Sequence, residues 1–450
     1  MKRSQLVILF VTIFIDLLGF GLILPLLPIY IQHYGGSAWV GGALMTSFSV
    51  MQFIFAPIWG SLSDRIGRRP LILLSLLGSA VSYFFFGAAP NLLILFIARL
   101  SAGVLSSASI PTAQAYIADV TTPQERSGGM AIIGAAFGLG FAFGPVFSAI
   151  LSNHPVFGIS ALAMPAYAAA LLSLVNFAFA FFMLPESHMN RDSAPRKAEP
   201  FGVFKSLDNA LKSPMTGPPL IVFAFTTFAF TAVETSFSWL VILRFDRVLH
   251  ETAAVAHNLH LQAGQALYSA LSVLEQKNLF EKTATSATGT IFGIVGFTTL
   301  LVQGAVMGGL AKKVGEGLLI RAGTIILVLA LLGTAVAPSL LWLQIGSAFI
   351  AMGNGILNPS LTSLITQFAD PAKRGEISGV QQGLGSLARV IAPTPNNLLV
   401  GLPILILGVS AGIPFYISSV LMFVGFLLAL RLKTAIPKEE ALIGTETTSH

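Results

Sequence analysis

Four charged residues interrupt stretches of this chain that are otherwise apolar: Asp16, Arg99, Glu234 and Arg389. A carboxylate inside an apolar segment is costly to keep ionised unless it is paired or hydrated, so such a group either exchanges protons or is held by a neighbour. Asp16 lies in Asp16-Leu-Leu-Gly-Phe-Gly-Leu-Ile-Leu-Pro-Leu-Leu-Pro28 and Glu234 in Phe230-Thr-Ala-Val-Glu-Thr-Ser236. Each is a candidate for proton coupling or, alternatively, a polar residue that hydrogen-bonds a neighbouring helix for packing. Arginine does not deprotonate in proteins, so Arg99, in Phe96-Ile-Ala-Arg-Leu-Ser-Ala-Gly103, must be paired or hydrated, and its approach to a carboxylate favours the ionised form. We assign it to proton coupling with the two carboxylates. Arg389, in Gly385-Ser-Leu-Ala-Arg-Val-Ile-Ala-Pro393, has no acidic residue near it in sequence; it either pairs with Glu234 or binds an anionic substrate. Asn354, Asn358 and Gln381 are the polar residues assigned with it to substrate binding. The four charges sum to zero, which favours internal pairing at rest.

Groups like these need helices long enough to carry them through a bilayer. Hydrophobic residues make up 54% of the 450 positions, charged residues only 10%, and the mean hydropathy is +0.81, far from the range of soluble domains. At about 1.5 Å per residue, roughly 20 apolar residues cross the hydrocarbon. Such runs fall at 6–28, 39–58, 71–89, 92–117, 130–151 and 159–184, and, after a charged stretch, at 220–243, 290–310, 318–337, 340–368, 377–400 and 407–432. The pattern predicts an all-α polytopic membrane protein of twelve transmembrane helices. Two six-helix bundles, 1–184 and 218–437, flank a linker at 185–217, and a tail covers 438–450. An insertion at 246–288 follows the seventh helix, and the spacing of Leu259, Ala263, Ala266, Leu267, Ala270, Leu271 and Leu274 predicts an amphipathic helix within it. Met1-Lys-Arg ahead of Leu6 reads as the flank of a retained first helix, because no small-residue cleavage site follows.

The net charge of +6 is distributed by topology and forms no nucleic-acid face. Arg244, Arg247, Lys277 and Lys282 fall on one side, Arg99 and Arg389 in the membrane, and the remaining Lys and Arg on the other side. The positive-inside bias makes that side cytoplasmic, with both termini. No cysteine is present, which excludes disulfides, thiolate metal sites and cysteine nucleophiles. No phosphate-binding Gly-Lys-Ser/Thr loop, metalloprotease helix or nucleophile elbow occurs, so an enzyme and an ATP-driven pump are both unsupported and no cofactor is expected. His250, His257 and His260 gather in the insertion. His257 and His260 at i, i+3 could share a metal or sense pH, but a solvated external helix explains them more simply, and no metal site is assigned.

Two local patterns and one long-range one remain. Gly60-Ser-Leu-Ser-Asp-Arg-Ile-Gly-Arg-Arg-Pro70 is a cationic turn between two spans, with Gly60 and Gly67 permitting close approach. Gly138-Leu-Gly-Phe-Ala-Phe-Gly-Pro145 is a small-residue helix face ending in a proline that frees a carbonyl. A constant offset of 248 residues carries Gly60 onto Gly308, Gly67 onto Gly315, Pro111 onto Pro359, Arg126 onto Arg374 and Pro145 onto Pro393. The two bundles are therefore copies in the same membrane orientation.

The first loop resembles that between the second and third helices of major facilitator superfamily transporters, and Gly140, Gly144 and Pro145 resemble the antiporter motif of its drug:proton exporters. Ala118-Asp119 and Leu184-Pro-Glu-Ser187 add to a likeness to tetracycline-resistance exporters and their animal tetracycline-transporter-like relatives. The resemblance implies two rocking halves around a midplane site and a conformational latch formed by Gly60, Asp64, Arg65, Gly67 and Arg68, holding the halves outward-open through the eleventh helix. In the second copy Lys312 stands where Asp64 maps, so the latch is expected to be lopsided. Where the tetracycline pumps carry further acidic residues and a histidine, this chain has Ser82, Leu327 and Thr299, which argues against tetracycline as substrate. The implied function is proton-coupled export of a small amphiphilic, drug-like or anionic compound across a plasma (inner) membrane, by a monomer whose partners are substrate, protons and lipid. A lipid flippase of the same fold and a non-transporting receptor are the alternatives.

Overall fold

A computed structural model of the chain describes residues 2–121, 126–154, 156, 158–187, 208, 210–259, 268–303, 307–368, 374–400 and 411–432. All regular structure among them is helical. The N-terminal half contains α1 (Lys2–Ile23), α2 (Leu27–His33), α3 (Ala38–Ile66), α4 (Arg68–Ala88), α5 (Leu92–Leu105), α6 (Ser109–Val120), α7 (Arg126–Asn153) and α8 (Met164–Met183). The C-terminal half contains α9 (Gly217–Arg244), α10 (Asp246–Leu259), α11 (Val273–Leu301), α12 (Met307–Val314), α13 (Glu316–Ala335), α14 (Leu340–Phe368), α15 (Arg374–Ile391), α16 (Pro393–Val400) and α17 (Ile413–Leu430).

Eleven helices among the described residues are long and apolar enough to cross a membrane. Two of them are compound. Pro25 and Pro28 cannot donate to a preceding carbonyl, so a 3₁₀ turn at Leu24–Leu26 joins α1 to α2 in one bent span, Ser4–His33. A similar turn at Ser106–Ala108 joins α5 to α6. The place of the remaining predicted span, the eleventh, expected as one run over 377–400, is taken by α15 and α16, which part at Ala392 ahead of Pro393. Gln381, Gln382 and Arg389 also make α15 too polar to count by apolarity.

The eighth span differs from the sequence expectation as well. It begins at Val273 rather than near Thr290, because Ser272 and Glu275 form a reciprocal capping box that starts the helix. Its first turns carry Glu275, Lys277, Glu281 and Lys282, charges that resemble a loop in a hydropathy reading. The insertion therefore ends at Ser272, and its described amphipathic helix is α10, ahead of the run expected to form it. Residues 260–267 of that run lie outside the described residues.

The repeat is visible in backbone detail. Gly67 (φ 107°) and Gly315 (φ 79°) occupy equivalent turns ahead of α4 and α13. Asn91 caps α5 by accepting from the Ile94 N–H at 3.1 Å, and Ser339, 248 residues on, accepts from the Trp342 N–H at 3.2 Å.

In lipid, helices associate by close packing and hydrogen bonds rather than by burial from water, and small residues set the closest seams. Gly289, Gly293 and Gly296 on α11 lie against Pro145, Val146 and Ala142 on α7, joining the halves through their middle. A Cβ at Gly42 of α3 would stand 2.6 Å from the Pro393 carbonyl of α16. Thr46 donates to the Val390 carbonyl at 3.3 Å and lies 2.9 Å from the Thr394 hydroxyl. The largest buried cluster spans both halves, whereas a second, containing Leu9, Ile13, Leu76, Tyr116 and Ile117, belongs to the N-terminal half alone. Exposed Phe84, Leu171, Phe182, Leu329 and Val420 suit a lipid-facing surface.

Candidate functional site

The first span carries Asp16 into the N-terminal bundle, where it is 8% exposed. The Ser79 hydroxyl of α4 donates to its Oδ1 at 3.1 Å, and the Ser109 hydroxyl, just after the 3₁₀ turn, lies beside it. Arg99 of α5 is 2% exposed and forms no ion pair with Asp16 or with any other described carboxylate. Its Nη2 contacts the Met45 sulfur at 3.2 Å, and its guanidinium lies 4.5 Å from the Phe48 ring centroid and 6.0 Å from that of Phe20. Its Nε has no partner. Tyr83, buried, lies within electrostatic reach of both Asp16 and Arg99. The internal pairing expected from charge balance is thus absent in the N-terminal half. A desolvated cation–π contact contributes about 2 kcal/mol, against a penalty of several kcal/mol for a buried ion. Arg99 is left as an under-compensated cation.

In the C-terminal half Glu234 of α9 is half-buried and lines a narrow cleft between the bundles with Met45, Trp239 and Asn397. Arg389 is exposed on α15 and acts on Glu234 electrostatically without reaching ion-pair distance. The Asn397 amide joins the halves, its nitrogen donating to the Ser236 hydroxyl at 2.9 Å and its oxygen accepting from the Gly42 N–H at 3.0 Å. Asn358 donates to Asn354 Oδ1 at 2.8 Å, and Gln381 to the Thr362 hydroxyl at 2.8 Å. Asn354 opens onto a different pocket, inside the C-terminal bundle with Thr226 and Phe230. No hydrogen bond among the described residues joins Arg389 to Asn354, Asn358 or Gln381.

Of the expected latch, Arg68 has described partners in its own half. Arg68 Nε lies 3.1 Å from Asp119 Oδ2, and Arg68 also donates to the Ser63 hydroxyl. Glu186 accepts the backbone N–H groups of Arg68 at 2.9 Å and of Arg69 at 3.2 Å, so a carboxylate covers the positive end of α4. Gly67 leaves room for it, since a Cβ there would collide with Glu186. Arg65 is exposed, Gly60 faces open space, and the Asp64 side chain lies outside the described residues. The antiporter-like face is a packing seam: a Cβ on Gly144 would stand 2.6 Å from Gly21 Cα, and one on Gly140 2.9 Å from the Leu17 backbone.

Sequence reading missed a polar bridge between the halves. His33 at the end of α2 meets Glu281 of α11 at 2.7 Å, and Lys277 donates to the His33 carbonyl at 2.9 Å. The signal that was present is the i, i+4 spacing of Lys277 and Glu281, which marks helix rather than loop. Of the insertion histidines, His250 stacks on Phe280 at 4.5 Å and lies 3.0 Å from the Tyr268 hydroxyl, and His257 meets the Tyr268 ring edge-on. His260 lies outside the described residues.

The family model described as Major Facilitator Superfamily matches residues 9–393. The chain belongs to the major facilitator superfamily. Within the superfamily it is 27% identical to the mouse major facilitator superfamily domain-containing protein 10, covering 96% of this chain and 93% of that protein. It is 30% identical to the class E tetracycline resistance protein of Escherichia coli, covering 87% of each. The crystal structure of the human organic anion transporter MFSD10 (TETRAN) superposes with a TM-score of 0.64 at 25% identity, over 95% of this chain and 99% of that one. These superfamily relatives are transporters, not enzymes. The all-α, multi-pass architecture is the one they share.

Proposed function

We propose that this superfamily member is a secondary active transporter that exports a small amphiphilic organic anion in exchange for protons, by alternating access. The observation that carries the anion is Arg99: a guanidinium 2% exposed, with five donors, one sulfur contact and an unpartnered Nε, walled by Phe48 and Phe20. An aryl or alkyl carboxylate supplies both the missing charge and an apolar body for those rings. The similarity to the human organic anion transporter supports the same class. Asp16 and Glu234, one in each half and neither ion-paired among the described residues, are the groups proposed to carry protons, with no cofactor beyond the gradient.

The charge bias of the loops makes the Arg68 end cytoplasmic and the His33 end external in this reading. The seams at Gly42, Thr46 and His33 then close the external end.

Purified protein in liposomes with an imposed pH gradient tests the proposal, with 2-naphthoate as the probe. Accumulation that follows the gradient, collapses with an uncoupler and is lost in Arg99→Gln is the expected result. Uptake of neutral benzamide equal to that of naphthoate, or naphthoate uptake indifferent to Arg99→Gln, would overturn it.

A further inference from the structure

Met45 is the one side chain described above that touches both central charged regions. On one side its sulfur takes the Arg99 Nη2 contact at 3.2 Å; on the other it lines the cleft that holds Glu234. It is 9% exposed, and its neighbour Thr46 makes the hydrogen bonds to Val390 and Thr394 across the halves. Met45 therefore stands as a partition between the cation of one bundle and the carboxylate of the other.

A thioether is a poor partner for a guanidinium. Sulfur accepts weakly, whereas a carboxylate takes two parallel N–H groups from the planar fork. The side chain that holds this place is also among the easiest to move, since methionine is unbranched with three rotatable bonds and tolerates repacking. Beyond it, the Trp239 indole N–H is buried without a partner and borders the same cleft. A second donor thus waits on the far side of the partition.

We propose that Met45 is the placeholder and size filter of the substrate site. Its thioether occupies the position at Arg99 that the carboxylate of an organic anion takes, and its displacement joins the Arg99 pocket to the Glu234 cleft. This rests on the organic-anion reading above. Two consequences follow for specificity. Anions with a short apolar body pack against the contacting Phe48 and Phe20 rings once the sulfur swings aside, and longer bodies extend into the cleft vacated by Met45, so residue 45 sets the largest anion accepted. Met45 is a positioning residue in this scheme, acting through Arg99 and through the space that it fills.

The probes are benzoate, 2-naphthoate and 1-pyrenebutyrate, with benzamide as the neutral control, measured for transport by wild type, Met45→Leu, Met45→Ala and Arg99→Gln. Binding is followed on the same full chain by the ¹³C ε-methyl resonances of its methionines, that of Met45 being identified by its loss in Met45→Leu. The expected result is a Met45 methyl shift on saturation with naphthoate and none with benzamide. Met45→Ala should lower KM for pyrenebutyrate about tenfold relative to benzoate with kcat held within about twofold, a difference worth about 1.4 kcal/mol. Met45→Leu, which keeps volume but removes the sulfur, should preserve the size order. A stationary Met45 resonance in a wild-type protein that binds carboxylates through Arg99, or unchanged size selectivity in Met45→Ala, overturns the placeholder and leaves the organic-anion reading intact. Absence of carboxylate binding by wild type overturns both.

Discussion

His33 and Glu281 meet at 2.7 Å across the two halves, with Lys277 4.0 Å from the same carboxylate. Glu281 is 7% exposed, so its carboxylate is compensated by the hydrogen bond with His33 and by Lys277 far more than by water. Removing one partner of a buried pair leaves the other uncompensated, which typically costs 3–5 kcal/mol when solvent is excluded, and less here because His33 is partly exposed. That loss falls on the arrangement in which the bridge forms and on no arrangement in which it is open. His33→Ala and Glu281→Gln should therefore shift the protein towards opening at the His33 end. The native chain has no cysteine, so spin labels on Ser37→Cys and Asn278→Cys report that end specifically. A longer-distance population should appear in both variants, and an unchanged distribution would show that the bridge bears no part of the closure.

Arg68 and Asp119 have a distorted copy in the other half. Moving 248 residues forward turns the pair into Glu316 and Gln367, which still touch, with Gln367 Nε2 donating to Glu316 at 2.8 Å. Geometry is kept and the ion pair is not. Asp119→Asn removes an ionic partner from a residue 6% exposed, whereas Glu316→Gln changes two neutral-donor hydrogen bonds, from the half-buried Ser363 and the exposed Gln367. Transport should fall at least about tenfold in Asp119→Asn and less than about twofold in Glu316→Gln, at equal protein levels in the membrane. Equal losses would remove the expected asymmetry of the latch.

The glycines of α7 separate packing from coupling. Gly140 and Gly144 face the α1 backbone too closely for any Cβ, but Gly134 and Gly138 on the same helix face open space. Gly144→Val should destabilise by about 1–3 kcal/mol or more and lower the amount of folded protein, while Gly138→Ala should leave both folding and transport near wild type. A Gly144→Val protein that folds normally and loses only proton coupling would return the motif to a direct role in the exchange.

Much of this architecture was legible in the sequence because lipid imposes length and apolarity on a spanning helix, so α4, α13 and α14 fall where hydropathy places them. Hydropathy fails where polarity and helix coexist. The charged first turns of α11 looked like loop, and the break at Ala392 was hidden inside an apolar run. At the site, Asp16, Arg99 and Glu234 announced themselves as charges in apolar surroundings. Their partners did not, since Ser79, Met45 and Phe48 are ordinary residues of spanning helices until the fold brings them within reach. The bridge from His33 to Glu281 was invisible for a different reason, as it depends on how one half sits against the other. A deletion from Glu251 to Lys282, reasonable if the insertion reached 288, would in fact remove the capping box and the opening turns of α11.

Asp16 is held by hydroxyls and not by a cation, and this bears on how it could exchange a proton. Ser79 donates to Oδ1 at 3.1 Å with Ser109 beside it, and a serine hydroxyl can rotate to accept from a protonated carboxyl as readily as it donates to an ionised one. An arginine in that position would fix the ionised form. Arg99 is instead engaged by Met45 and Phe48, with Tyr83 in reach of both charges, so its approach to Asp16 requires a rearrangement. Such a two-state environment is what coupling needs, because the proton must be held in one arrangement and released in the other. Asp16→Asn keeps the size and hydrogen-bonding of the neutral acid and cannot ionise. In liposomes, substrate counterflow, which moves no net proton, should persist within about threefold in this variant while pH-driven accumulation disappears, a split that a merely structural loss would not produce. Glu234→Gln is the comparison. Retained accumulation in Asp16→Asn together with its loss in Glu234→Gln would place the exchanged proton in the C-terminal half.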